Sequence, residues 1–166
     1  MKAREAILTV LDFESTGAVR GHGEEPWQVG MVELQAGQVT GHYHESYLRV
    51  AADRPFNPYA PGRHADIRQV LAAAPPPADL WPVWRPWLEG RPLAAHNIGT
   101  EKKFLQRAAP LHEFGPWLDT LQLARHVRPD LDDAVLDDEP GDAVEQRQVG
   151  LLAEGEDDGV GLELLG

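Results

Sequence analysis

The hydrophobic and polar positions in the first third of the chain predict a β-sheet. Residues 6–14 form an apolar run that is typical of a buried strand, and the turn-forming Gly17 follows it. A second strand is predicted over residues 27–34. The sequence Gln-Ala-Gly-Gln at 35–38 then predicts a hairpin turn into a third strand over residues 39–50. The chain is therefore expected to begin with three antiparallel strands.

The following part, up to about residue 128, predicts helices that alternate with short strands. In order, the pattern gives a short helix after a Pro-rich loop, a longer helix, a buried strand, a helix with Thr100 as its N-cap, a short strand and a last helix. Their predicted bounds are 65–73, 78–88, 92–97, 100–107, 117–119 and 120–128. This order indicates the α/β class with a mixed sheet.

Two carboxylates, Asp12 and Glu14, end the first predicted strand. Side chains alternate between the two faces of a strand, so both acids point to one face and Phe13 points to the other. Neighbouring acids repel each other and lose hydration, which favours a divalent cation between them. The alternative is a solvated strand end. Glu101, in the first turn of a helix that follows another strand, is placed to join the pair.

Charge is distributed unevenly along the chain. Residues 130–166 contain 13 acidic residues and one basic residue, Arg147, and this segment carries the whole net charge of −12. It has no aromatic residue and is predicted to be a poorly ordered acidic tail. The chain has no cysteine, which excludes a thiolate metal site and is compatible with a cytoplasmic protein. No apolar run approaches the roughly 20 residues that a membrane helix needs.

Two segments resemble motifs of a known enzyme family. Residues 12–17, Asp-Phe-Glu-Ser-Thr-Gly, are similar to the first motif of the DEDD superfamily of 3′–5′ exonucleases, D-x-E-[TS]-T-G. Residues 95–105 resemble the second motif, H-N-x-x-x-D-x-x-F-L. Relatives include the proofreading subunit of bacterial replicative polymerases, ribonuclease T and oligoribonuclease. The segments 27–34, 88–93 and 118–125 agree in order and spacing, so the resemblance covers roughly residues 6–130.

The resemblance implies a ribonuclease H-like fold, a mixed sheet flanked by helices, for an exonuclease-like domain over residues 6–129. Such enzymes cleave phosphodiesters with two divalent cations, Mg²⁺ or Mn²⁺, about 4 Å apart. By resemblance, Asp12, Glu14 and Glu101 are the catalytic metal ligands. The implied substrate is the 3′ end of single-stranded DNA or RNA, and its predicted contacts are Ser15, Thr16, His96 and Asn97. The neutral charge outside the tail fits such substrates, because tight duplex binding needs many Lys and Arg side chains.

Two departures from the family bear on activity. Glu101 stands where the family has Asp, and the extra methylene moves the carboxylate by about 1.5 Å. The family's third motif, His-x-x-x-x-Asp or Tyr-x-x-x-Asp, supplies a general base and a fourth carboxylate. No His or Tyr follows His126 in this chain. We therefore expect a metal-dependent exonuclease domain with little or no activity.

Residues 130–166 leave three explanations open. A reading-frame shift near Asp130 replaced the third motif, or a divergent tail ends a catalytically weakened domain, or an aspartate of the segment supplies the fourth carboxylate. The candidates for that carboxylate are Asp132, Asp133, Asp137 and Asp138. Two other functions also stay open: a non-catalytic nucleic-acid-binding or protein-binding module derived from an exonuclease, and a phosphatase with Asp12 as nucleophile.

Overall fold

A computed structural model describes residues 6–60 and 67–130 of the chain. Its elements are β1 (Ile7–Ser15), β2 (Pro26–Gln35), β3 (Gln38–Tyr47), α1 (Arg68–Ala73), α2 (Pro77–Leu88), β4 (Leu93–Ala95), α3 (Gly99–Ala108), β5 (Trp117–Asp119) and α4 (Thr120–Val127). This is the predicted order of strands and helices. The predicted acidic tail lies, apart from its first residue, outside the described residues. Among the helices of the described ranges, none has the length and apolar character to cross a membrane.

The strands form one mixed sheet in the order β3-β2-β1-β4-β5. β1 pairs antiparallel with β2, and β2 pairs antiparallel with β3. The predicted hairpin turn between β2 and β3 has left-handed residues at Ala36, with φ of 53°, and Gly37, with φ of 79°, as a type I′ turn requires. β4 runs parallel to β1, and β5 runs parallel to β4. The carboxyl ends of β1, β4 and β5 therefore lie at one end of the sheet.

The main core lies between one face of the sheet and the helices α2 and α3. Phe13 of β1 is at its centre and meets the rings of Trp84 and Phe104 edge-on, at centroid distances of 6.0 and 5.5 Å. Trp84 is fully buried, and Trp81 and Trp87 pack against the same core. The stripe of tryptophans on α2 thus holds this helix on the sheet. The packing fixes β1 and α3, which carry the predicted ligands, against each other.

Several element boundaries differ from the predicted ones. β3 ends at Tyr47. After one further hydrogen bond to β2 the backbone leaves the sheet, and the Val50 N–H donates to the Leu71 carbonyl at 3.2 Å. β4 is shorter than predicted, because Asn97 adopts a left-handed φ of 59° that no strand continues through. The prediction that Thr100 caps α3 is wrong. The helix begins one residue earlier, at Gly99, and no side chain caps its start.

The two internal prolines of α2 do not break this helix. α2 starts at Pro77, so Pro82 and Pro86 both lie in its interior. Each proline removes a backbone hydrogen bond and is unfavourable there. The burial of Trp84 and Leu88 between and after the prolines opposes this cost. Tertiary packing, rather than intrinsic propensity, therefore maintains α2.

Candidate active site

Asp12 and Glu14 lie on one face of β1 near its carboxyl end, as the strand alternation predicts. Asp12 is exposed and Glu14 is half-buried, whereas Phe13 between them is buried in the core. Asp12 pairs with Gly30 of β2, and a side chain added at Gly30 would meet no atom within 4 Å. The glycine thus leaves open space beside the Asp12 carboxylate.

Glu101 is brought to the same end of the sheet by β4 and α3. β4 lies beside β1 with Leu93 opposite Thr9, and α3 follows its carboxyl end and contacts β1. Glu101 lies in the first turn of α3 and is only 3% exposed. A carboxylate at this position interacts favourably with the helix dipole, which offsets part of the cost of burial. All three predicted ligands therefore lie at the end of the sheet where β1 and β4 terminate.

The described residues do not form a ready-made metal centre. Within residues 6–60 and 67–130, no group of three or more His, Asp or Glu side chains is close enough together to hold a metal ion. The oxygen donors of Asp12, Glu14 and Glu101 have the chemistry that Mg²⁺ and Mn²⁺ prefer. Their role as metal ligands stays a prediction.

The turn after β4 carries His96 and Asn97 and is fastened to the start of α4. The His96 Nδ1 atom lies 3.1 Å from the Thr120 hydroxyl oxygen, and the Asn97 N–H donates to the Asp119 carboxylate at 3.2 Å. The same Asp119 oxygen accepts from the N–H groups of Leu121 and Gln122 and so caps α4. Asp119 thus anchors the turn between β5 and α4 and ties the Asn97 turn to it.

The hydroxyls of Ser15 and Thr16 both take part in hydrogen bonds within the chain. The Ser15 hydroxyl donates to the Glu24 carboxylate at 2.7 Å and accepts from the Gly17 N–H at 3.2 Å. The buried Thr16 hydroxyl accepts from the Glu25 N–H at 3.1 Å and donates to the Gly17 carbonyl at 3.1 Å. These bonds shape the turn after β1. The predicted substrate contacts of Ser15, Thr16, His96 and Asn97 stay predictions.

Gly17 permits the close approach of a neighbouring loop to this turn. Its φ of +62° is left-handed, and a Cβ at this position would lie 2.7 Å from the Asn57 Cβ. The Asn57 N–H donates to the Thr16 carbonyl at 2.8 Å, and its side-chain amide donates to the Ala18 carbonyl at 3.2 Å. The loop around Asn57 therefore braces the turn that follows the two acids of β1.

Glu24 is a charged residue beside the site that sequence reasoning did not single out. Its carboxylate accepts hydrogen bonds from Ser15 and Lys103, and the Arg107 guanidinium donates to its backbone carbonyl at 3.1 Å. Partial burial opposes ionisation, but the bonds from Lys103 and Ser15 and the charges of Lys103 and Arg107 hold the pKa of Glu24 below its ordinary value. Only the fold reveals this contact, because Glu24 and Lys103 are far apart in the sequence.

Comparison with known sequences gives one distant relative. The chain is similar to the PolC-type DNA polymerase III of Thermotoga maritima, with 26% identity over 127 residues. The match covers 74% of this chain but only 9% of the polymerase. No protein-family model matches the chain.

Comparison with solved structures places the fold among exonucleases. The chain resembles exonuclease I in a complex described as ExoI/SSB-Ct, with a TM-score of 0.56, 14% identity and coverage of 74% of this chain and 30% of that one. It also resembles the zinc-bound form of the E. coli ExoI–ssDNA complex, with a TM-score of 0.55, 12% identity and coverage of 74% and 29%. The chain thus spans less than a third of these relatives. The predicted ribonuclease H-like fold, a mixed sheet flanked by helices, is confirmed.

Proposed function

We propose that this chain is a 3′–5′ exonuclease-type nucleic-acid hydrolase domain that binds single-stranded 3′ ends with divalent cations and cleaves them weakly. The observation that carries the proposal is the position of Asp12 and Glu14, which share one face of β1 next to the open space at Gly30. The exonuclease-type fold supports it. So does the single-stranded DNA in the similar exonuclease I complex, which has 12% identity to this chain.

The chain's own residues have separate roles in this proposal. Asp12, Glu14 and Glu101 would hold Mg²⁺ or Mn²⁺ through carboxylate oxygens. Two such cations, when bound, activate a water molecule and stabilise the leaving oxygen of the phosphodiester. The backbone turn at His96 and Asn97, which Asp119 holds in place, would contact the terminal nucleotide.

The expected weakness of the activity follows from the lack of a candidate general base in residues 127–166. The family's base is a His or Tyr in the third motif, and no such residue follows His126 in the sequence. A positioned base contributes about 10²- to 10⁴-fold to the rate. We expect turnover to be lower by about this factor than in an intact enzyme, while the binding of cation and 3′ end is retained.

The test is the release of mononucleotides from 3′-labelled single-stranded DNA and RNA in the presence of Mg²⁺ or Mn²⁺. Slow release is expected, with complete loss in Asp12→Ala. Glu113→Ala is the matched control, because Glu113 is an exposed acid in the loop before β5. Release that needs the metal but survives Asp12→Ala would refute the proposed site. Fast release that Asp12→Ala abolishes would support the proposed site but refute the predicted impairment of activity.

A second candidate is a non-catalytic binding module derived from an exonuclease. The absence of His and Tyr after His126 favours it. Such a module would bind a labelled single-stranded oligonucleotide in fluorescence anisotropy with Mn²⁺ present, yet release no mononucleotide over many hours. Any Asp12-dependent cleavage of the label would exclude this candidate.

A further inference from the structure

Four side chains connect the turn after β1 with the helix α3, and we call them the Glu24 bridge: Ser15, Glu24, Lys103 and Arg107. One carboxylate oxygen of Glu24 accepts from the Ser15 hydroxyl at 2.7 Å, and the other forms an ion pair with the Lys103 ammonium. Arg107, one helical turn further along α3, donates to the Glu24 backbone carbonyl at 3.1 Å. A single residue thus contacts both structural elements that carry the predicted ligands.

The positions of the bridge residues give this contact its significance. Ser15 directly follows Glu14 on β1, and Lys103 lies two residues after Glu101 on α3. The carboxylates of Glu14 and Glu101 arise from elements that are distant in sequence, so their separation depends on how β1 and α3 are held. A metal site tolerates errors of only about 0.5 Å in the position of its ligands.

We propose that Glu24 is a positioning residue for the metal site, because it fixes the Glu14 end of β1 relative to the Glu101 turn of α3. This inference rests on the proposed function. It also assigns Lys103 to the protein's own carboxylate rather than to a substrate phosphate. The bridge is only partly exposed, with the Glu24 side chain at 26% and the Lys103 side chain at 40%, so solvent screens it less than a fully exposed pair.

The experiment measures Mn²⁺ binding to the full chain by electron paramagnetic resonance of the free ion. The binding curve of Asp12→Ala is subtracted from each measured curve. This removes the Mn²⁺ binding that does not depend on Asp12, including any binding to the acidic C-terminal segment. Glu24→Gln and Lys103→Gln break the same contact from opposite sides. Because such outer contacts typically change metal affinity by about 10- to 100-fold, we expect both variants to weaken the Asp12-dependent binding by that factor.

Two further variants separate positioning from a merely structural role. Glu89→Gln is the matched control, because it breaks an exposed ion pair with Arg85 that includes no residue of β1 or α3. It should leave Mn²⁺ binding unchanged. The double exchange Glu24→Lys with Lys103→Glu restores an ion pair of reversed polarity and should recover Mn²⁺ binding relative to Glu24→Lys alone. The melting temperature of Glu24→Gln, followed by tryptophan fluorescence, should fall by no more than a few degrees.

The outcomes distinguish this inference from the function on which it rests. Unchanged Mn²⁺ affinity in both Glu24→Gln and Lys103→Gln, with normal Asp12-dependent binding in the unmodified chain, would overturn the positioning role alone. Absence of any Asp12-dependent Mn²⁺ binding in the unmodified chain would overturn the proposed function and the positioning role together. Weakened binding in both variants, with recovery in the double exchange, would establish the role of Glu24.

Discussion

Replacement of Gly17 by alanine should destabilise the fold strongly, because two separate costs meet at this position. A left-handed φ of +62° is available to glycine but costs an L-residue about 1–2 kcal/mol. The new Cβ would also lie 2.7 Å from the Asn57 Cβ, whereas carbon atoms in favourable contact are about 3.5–4.0 Å apart. Asn57 cannot rotate its own Cβ away, so the loop backbone must move.

The size of the second cost follows from the bonds that this movement strains. Asn57 donates through its backbone N–H to Thr16 at 2.8 Å and through its side chain to Ala18 at 3.2 Å. Overpacking of this kind costs about 1–3 kcal/mol. We therefore expect Gly17→Ala to lower the free energy of unfolding by about 2–5 kcal/mol in total, a large part of the roughly 5–15 kcal/mol typical of a domain.

Urea denaturation followed by tryptophan fluorescence measures this effect, and Gly21→Ala is the matched control. Gly21 has a φ of +82°, but a Cβ there would meet nothing within 4 Å. Its replacement should show the backbone cost alone, about 1–2 kcal/mol. Equal losses in the two variants would refute the argued clash with Asn57. If neither replacement lowers the free energy of unfolding, the cost assigned to the left-handed backbone is refuted as well.

The remaining predictions concern the turn after β4 and the Glu24 bridge. Asp119→Ala should lower the free energy of unfolding by about 1–2 kcal/mol, because it removes the cap of α4. It should also speed hydrogen exchange of the Asn97 amide, which donates to Asp119. Asp119→Asn keeps an acceptor oxygen and should lower the free energy of unfolding by less. Equal exchange rates in both variants would contradict this role. The pKa of Glu24 is lowered because its ionised carboxylate is stabilised in the folded state. This stabilisation of the fold is fully present above pH 4.5, the ordinary pKa, and disappears as the pH falls through the lowered pKa. The stability difference between the unmodified chain and Glu24→Gln, up to about 1 kcal/mol at pH 7, should therefore shrink towards pH 3, and a difference that grows there would contradict the assignment.

Local periodicity predicted most of the fold. The alternation in β1 correctly placed Asp12 and Glu14 on the face opposite Phe13, and the turn chemistry at Ala36 and Gly37 correctly predicted the hairpin. These features depend on side chains that are neighbours in sequence. The end of β3, which was predicted too late, depends on a contact with a distant segment, because the Val50 N–H donates to the Leu71 carbonyl. The start of α3 at Gly99 has no side-chain cap, so no capping residue marks it in the sequence.

The sequence named the residues of the candidate site but not the contacts that support them. The two motifs named Asp12, Glu14 and Glu101, and the fold places them at one end of the sheet. The Asp119 bond to the Asn97 turn and the Glu24 contact with Lys103 join residues that no local pattern relates. Sequence reasoning also could not show that the Ser15 hydroxyl is already engaged by Glu24.

The most direct test of the central claim concerns Glu101, the buried carboxylate that we propose as a metal ligand. Fluorescence anisotropy of a 3′-labelled single-stranded oligonucleotide is measured against Mn²⁺ concentration for the unmodified chain, Glu101→Gln and the control Glu113→Gln. Glutamine preserves the shape of Glu101 and removes its charge. We predict that Glu101→Gln loses the Mn²⁺-dependent part of the binding, whereas Glu113→Gln retains it. Undiminished Mn²⁺-dependent binding in Glu101→Gln would contradict a cation site built from Asp12, Glu14 and Glu101.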